Sequence, residues 1–153
     1  MRWLYVLAGG GVAGALDITF ACTFWHLKGS VPPTRIFQSV AAGLLGRESF
    51  AGGAGTAALG LALHFFIALT MSAVYYVVAR KWSALWRWPV PLGAAYGVVL
   101  YAAMTYVVVP LSAARPGSKA PLWIGLSIAA HVLVVGIPIA LCTARAIAPG
   151  RPR

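Results

Sequence analysis

Four long runs of apolar residues, separated by short polar segments, make up most of this chain. They cover residues 3–25, 54–79, 90–111 and 121–144. An α-helix needs about 20 mostly apolar residues to cross a hydrocarbon core about 30 Å thick, and its backbone polar groups must then be satisfied within the segment. The pattern therefore predicts an all-α fold, an integral membrane four-helix bundle in a single membrane domain that covers residues 1–153.

The connector between the first two runs carries a shorter amphipathic pattern. Across residues 33–46 the apolar positions recur on one side of a helix, whereas Arg35, Gln38 and Ser39 lie on the other side. The Pro-Pro pair in front of these residues suits a helix start, because proline is tolerated in the first turn. The segment is too short to span a bilayer. It is predicted either to lie in the headgroup region as an interfacial amphipathic helix or to pack over the mouth of the bundle.

Composition and charge agree with a membrane location. The chain is 61% hydrophobic and 9% charged, with a formal net charge of +10. Its basic residues gather near the ends of the apolar runs, which is typical of a multi-pass protein in contact with anionic lipid headgroups and not of nucleic-acid binding. Four spans put both termini on one side, and the modest excess of Arg and Lys there predicts cytoplasmic termini.

Small residues mark the places where helices are expected to approach closely. Gly10 and Gly14 are spaced by four in the first run, as are Gly93 and Gly97 in the third. In the second run Gly60 shares a helix face with other small residues. Because such residues let two backbones come into contact within a membrane, these five glycines are predicted to be helix-packing positions.

Four polar residues interrupt the apolar runs at similar depths. Counted at 1.5 Å per residue from a run end, Asp17 lies roughly 12 Å deep. The others, His64, Tyr101 and His131, lie roughly 15 Å deep. Ionisable groups inside a membrane nearly always face the bundle interior, so the four are predicted to form one inward polar layer. The runs contain no Lys or Arg to neutralise Asp17, whose carboxyl group must be protonated or pair with a histidine or a hydroxyl group.

Three interpretations of this polar layer stay open. It could register the helices by hydrogen bonds between them, or it could pass protons or ions. It could also hold a b-type haem between His64 and His131, since axial histidines from two helices of a bundle suit that cofactor. No metal site is predicted, because two histidines and one aspartate supply just three ligands in mostly apolar surroundings.

Signatures of enzymes are missing from the sequence. It has no Gly-rich phosphate loop, no nucleophile elbow, no paired carboxylates and no Cys-x-x-Cys motif. With two acidic residues in all, general acid–base chemistry has few candidates, and no enzymatic activity is predicted.

Several stretches carry a resemblance to a known group of proteins. The connector SVPPTRIFQSVAAGLLGR, the run ALGLALHFFIA and the later run VVGIPIAL resemble small four-span inner-membrane proteins of bacteria without an assigned function. The resemblance implies a multi-pass protein of the bacterial inner (cytoplasmic) membrane. It implies no activity, cofactor or binding residue.

The small size and the several small-residue faces favour an accessory or scaffolding subunit that packs against other membrane chains or against itself. The alternative is a self-assembling small channel or a proton or ion carrier that uses the polar layer. A haem-binding membrane protein is the second alternative.

Overall fold

The computed structural model describes residues 2–148, and every regular element among them is helical. A short 3₁₀ turn, Gly46–Phe50, joins the second helix to the third. The helices in chain order are α1 (Arg2–Gly29), α2 (Pro33–Leu45), α3 (Gly53–Lys81), α4 (Ala84–Arg87), α5 (Pro89–Leu111) and α6 (Pro121–Ile147).

Four of these helices, α1, α3, α5 and α6, are long and apolar enough to cross a membrane, with 28, 29, 23 and 27 residues. The predicted all-α four-helix bundle is therefore confirmed, and the chain is a multi-pass membrane protein. The helices continue past the apolar runs into their polar ends, for example to Lys28 and Lys81. We use "distal side" for the side where α1 ends and α3 begins, and "terminal side" for the opposite one.

The bundle is closed on three sides and open on the fourth. Helix α1 packs against both α3 and α6, and α6 also packs against α5. Between α3 and α5 the contact is made by side chains: the Tyr96 hydroxyl donates to the Met71 carbonyl at 2.8 Å, and the Tyr75 and Tyr96 rings lie 4.8 Å apart. A gap therefore separates these two helices along much of their length.

The five glycines expected at helix contacts all lie against a neighbouring helix of the same chain. A Cβ atom added at Gly10 or Gly14 would meet α3, and one added at Gly93 or Gly97 would meet the backbone of α6. At Gly60 an added Cβ would run into the carbonyl group of Phe37, so this glycine accommodates α2. The small-residue faces are thus used within the chain.

Helix α2 covers the distal half of the gap between α3 and α5. It packs on the first half of α3, and the Gly43 carbonyl accepts a hydrogen bond of 3.0 Å from the backbone of Ala113, just beyond α5. Gln38, which the pattern assigns to the polar side of this helix, is buried and donates to the Gly53 carbonyl at 3.0 Å. A tertiary partner outweighs the helical pattern here.

Two π-helical segments interrupt the spanning helices, and each ends two residues before a proline. Met104–Val108 precedes Pro110 in α5, and His131–Gly136 precedes Pro138 in α6. Proline has no N–H and its ring clashes with the carbonyl four residues earlier. A wider π turn relieves that clash inside a membrane, where broken helices must satisfy their backbone groups locally.

Candidate functional site

Three of the four predicted polar residues line one cavity near the middle of the bundle. Asp17 comes from α1, His64 from α3 and His131 from α6, around a volume of about 110 Å³. The thioether side chains of Met71 and Met104 complete the wall, and Val40 of α2 closes it toward the open side of the bundle. We refer to this space as the polar cavity.

His64 is fixed by a hydrogen bond between helices. Its Nε2 lies 2.8 Å from the Gly14 carbonyl oxygen, and because a carbonyl accepts hydrogen bonds, Nε2 carries the proton. Gly14 lets α1 and α3 lie close together here, since a Cβ at that position would lie 2.9 Å from the Phe65 ring. The second ring nitrogen, Nδ1, keeps its lone pair and can accept a proton.

His131 is fixed within its own helix. Its Nδ1 donates to the Ser127 carbonyl oxygen one turn earlier, at 2.9 Å. The Tyr101 ring meets the imidazole edge-to-face, with 5.6 Å between the ring centroids. Nε2 therefore keeps the free lone pair, and His131 stands at the first residue of the π-helical segment in α6.

Asp17 is half-buried and makes neither a hydrogen bond nor an ion pair through its carboxyl group within residues 2–148. An isolated carboxylate is very costly in apolar surroundings. The polar cavity has room for several water molecules, which need a polar wall to remain there. Water that bridges the carboxyl group and the two imidazoles would satisfy all three groups.

Tyr101 stands apart from the polar cavity. It lines a second, larger space of about 510 Å³ between α5 and α6, which extends to the loop at residues 116–119 on the distal surface. Met104 and His131 border both spaces. We refer to the second space as the distal pocket. His131 is therefore the link between the predicted polar layer and Tyr101.

The terminal half of the bundle is packed below the polar cavity. Its core consists of buried side chains from α1, α3, α5 and α6 that include Val6, Tyr75, Leu100 and Ile139. The hydroxyl of the fully buried Ser72 donates to the Val6 carbonyl at 2.8 Å, which ties α3 to α1 at this level. The polar cavity is thus closed toward the terminal side, and on its other side it shares Met104 and His131 with the distal pocket.

A third feature is a shallow apolar groove of about 220 Å³ between α3 and α5 in the terminal half. We refer to it as the lateral groove. Its walls include Tyr75, Trp82, Tyr96 and Val99. It is the continuation of the open side of the bundle below α2, and it faces the lipid.

The donors and the volume of the polar cavity can be compared with those that a metal ion or a haem needs. Within residues 2–148 no group of three or more His, Cys, Asp and Glu side chains is placed to hold a metal ion. Pockets for small molecules usually measure about 300–1,000 Å³. A haem between His64 and His131 would therefore require the helices to move apart.

Chemically, the polar cavity can accept, hold and release protons. It offers one carboxyl group and two imidazole nitrogens with free lone pairs. Sequence reasoning missed Met71 and Met104, whose apolar character gave no signal.

No protein-family model matches the chain, and neither a curated protein nor a solved structure matches it.

Proposed function

We propose that this protein is a small membrane carrier that takes up protons at the polar cavity from the distal side. One observation carries the proposal: Asp17, His64 and His131, from three different helices, line the same mid-membrane cavity. Ionisable groups inside membranes are costly, and where they persist they mark proton or ion pathways. The proton is favoured over a metal cation because the donors are few and two of them are imidazoles.

Access from one side favours a carrier over an open channel. The polar cavity meets the distal pocket through His131, whereas buried apolar side chains close the terminal half. Secondary transporters bind near the bilayer midplane and open to one side at a time. The π-helical segments of α5 and α6 lie at this level and contribute Met104 and His131 to the wall. Such segments occur frequently at functional sites, and here they provide the points at which α5 and α6 could bend.

Proton flux into proteoliposomes tests this function. The purified protein is reconstituted with a pH-sensitive dye inside the vesicles, and an imposed pH gradient is followed with valinomycin present to clamp the potential. The unmodified protein is expected to dissipate the gradient, and Asp17→Asn is expected to slow it at least tenfold by removing the carboxyl group.

Glu48→Gln is the matched control, because Glu48 is the second acidic residue and lies outside the membrane-spanning helices. It should leave the flux unchanged. Equal flux from all three proteins, or none above that of empty vesicles, contradicts the carrier function. Helical content measured by circular dichroism shows whether the Asp17→Asn protein is folded.

An accessory subunit is the second candidate, and the lateral groove favours it. The groove leaves aromatic and branched side chains of α3 and α5 without a helix beside them, and close-packed neighbours stabilise helices in lipid. The glycine faces do not support this function, since α2, α3 and α6 already occupy them. The partner would be a membrane chain that presents an apolar helix.

Photocrosslinking in native membranes tests the accessory function. Val99 lies in the lateral groove and is 59% exposed, and Leu133 is 62% exposed on α6 outside the groove. A photoreactive residue at Val99 should capture another membrane chain, whereas one at Leu133 should not. Capture at both positions, or at neither, contradicts docking in the groove.

Insertion in a bacterial inner membrane with cytoplasmic termini belongs to the same proposal, and the basic residues near the termini support it.

A further inference from the structure

The distal pocket has the size and mixed lining of a small-molecule site. Its volume of about 510 Å³ falls within the range of about 300–1,000 Å³ that is usual for such sites. The pocket begins at the surface loop that contains Lys119 and ends beside His131. It is distinct from the polar cavity, although His131 and Met104 border both.

Apart from the hydroxyl of the exposed Tyr106, three hydroxyl groups along the distal pocket lack hydrogen-bond partners within the described part of the chain. They belong to Tyr101, Thr105 and Ser127. Ser127 is 6% exposed, and its Oγ atom is buried without a partner. By contrast, the hydroxyls of Thr19 and Thr70 donate to carbonyls four residues earlier, at 2.7 and 2.8 Å.

Unpaired polar groups are costly at this depth, since lipid offers them no hydrogen bonds. Thr105 lies in the π-helical segment of α5, where the regular α-helical arrangement of carbonyls four residues earlier is broken. The free Nε2 of His131 adds an acceptor at the same end of the pocket. An occupant with hydrogen-bonding groups at its deep end would satisfy this set.

The remaining walls favour a flat ring. Tyr101, Tyr106 and Trp123 contribute aromatic surfaces, and Val109 and Ile124 contribute apolar ones. Aromatic rings gain energy from stacked or edge-to-face contact with one another. A ring could lie between these side chains and present its polar substituents to the hydroxyl groups.

Charge argues against a phospholipid as the occupant. Lys119, the one formally charged side chain on the described pocket wall, lies at the surface end. A phospholipid with its phosphate at Lys119 would place acyl chains against the unpaired hydroxyl groups. A molecule with a neutral polar ring at the deep end avoids that mismatch.

We propose that the distal pocket binds a neutral, hydrogen-bonding ring on an apolar tail, of the quinone and quinol class. The ring lies between Tyr101, Ser127 and His131, and the tail leaves toward the lipid past Tyr106, which is 72% exposed. Binding itself needs no proton transport, although the ring site shares His131 with the polar cavity.

Tryptophan quenching by decylubiquinone tests the site. The protein is placed in nanodiscs of phosphatidylcholine, and fluorescence is followed as the quinone is added. A saturable component of quenching is expected above the linear component that arises from quinone dissolved in the bilayer. Trp123→Phe should remove the saturable component. Trp25→Phe should retain it, because Trp25 contacts Trp123 at 5.0 Å between ring centroids but does not line the pocket.

A second pair of variants tests the hydrogen bonds. The double variant Tyr101→Phe, Thr105→Val should weaken saturable binding about tenfold, because it removes two hydrogen bonds to the ring. Thr70→Val is the control, because that hydroxyl bonds to its own helix on an exposed face. Linear quenching alone, unchanged affinity in a folded double variant, or a phospholipid retained in the pocket in native mass spectrometry would overturn the proposal. Retained binding by Asp17→Asn would separate this site from proton uptake.

Discussion

Gly97 lies where α5 crosses α6, and its replacement by alanine tests that crossing directly. A Cβ atom on Gly97 would lie 2.7 Å from the Cα atom of Val132 and closer still to the His131 carbonyl oxygen, whereas ordinary contact begins at 3.4 Å. Both obstacles are backbone atoms, so no side-chain rotation can relieve them. The two helices must part by at least about 0.7 Å at this point.

The cost follows from the dispersion energy across the crossing. A gap of about 0.5–1 Å removes roughly a quarter to a half of an attraction of about 0.1–0.2 kcal/mol per atom pair. With on the order of 30 pairs at the crossing, the loss is about 1–3 kcal/mol, which is also the usual range for overpacked interiors. Alanine gains about 0.5–1 kcal/mol over glycine through its helix propensity, so the variant needs a control that shows this gain alone.

Gly125→Ala is that control, because Gly125 lies on α6 and an added Cβ there meets nothing within 4 Å. Both variants are unfolded in mixed micelles by titration with sodium dodecyl sulfate and followed by circular dichroism. The free energy of unfolding of Gly97→Ala should be about 1–3 kcal/mol below that of Gly125→Ala. Equal values would refute direct backbone contact between α5 and α6 at Gly97.

Two further predictions concern the tie between α1 and α3 and the topology. Ser72→Ala should lower the free energy of unfolding by about 0.6 kcal/mol, the average for a hydrogen bond between membrane helices, because the Ser72 hydroxyl bonds to the Val6 carbonyl. No loss in the same micelle titration would show that this bond does not stabilise the bundle. In a protein with Cys22 and Cys142 replaced by alanine, single cysteines at Ser30 and Ser83 should react with an impermeant maleimide from opposite sides of the membrane. Labelling of both from one side would contradict four spans.

Much of the fold follows from apolar length, because a membrane leaves few alternatives to a helix. The position of α2 does not follow from its pattern. Gln38 has the character of a solvent-facing residue, yet the Gly53 carbonyl and the Thr56 hydroxyl satisfy its amide inside the protein. Such partners come from distant parts of the chain, and periodicity along one helix cannot reveal them.

The site was partly accessible from the sequence. Matched depth together with small-residue faces pointed to Asp17, His64 and His131, which the structure places on one cavity. Tyr101 was grouped with them on its depth and on the small residues of its helix face, and it lines the distal pocket instead. The sequence did contain a signal that the helix near Tyr101 is irregular, namely Pro110, since a proline disturbs the helix just before it. Whether these residues carry a function stays a prediction.

The π-helical segment in α6 also determines how the half of the helix after it is rotated about the helix axis relative to the half before it. A π turn holds one residue more than an α turn, and one residue corresponds to roughly 100° of rotation. Deleting Val132 would restore regular α-helical winding. The part of α6 after the deletion would then be rotated about the helix axis relative to the part before it. Ile139 and Ala140, now completely buried, would rotate toward lipid if His131 kept its place. A single inserted residue therefore lets one continuous helix serve a site near its middle and a core near its end.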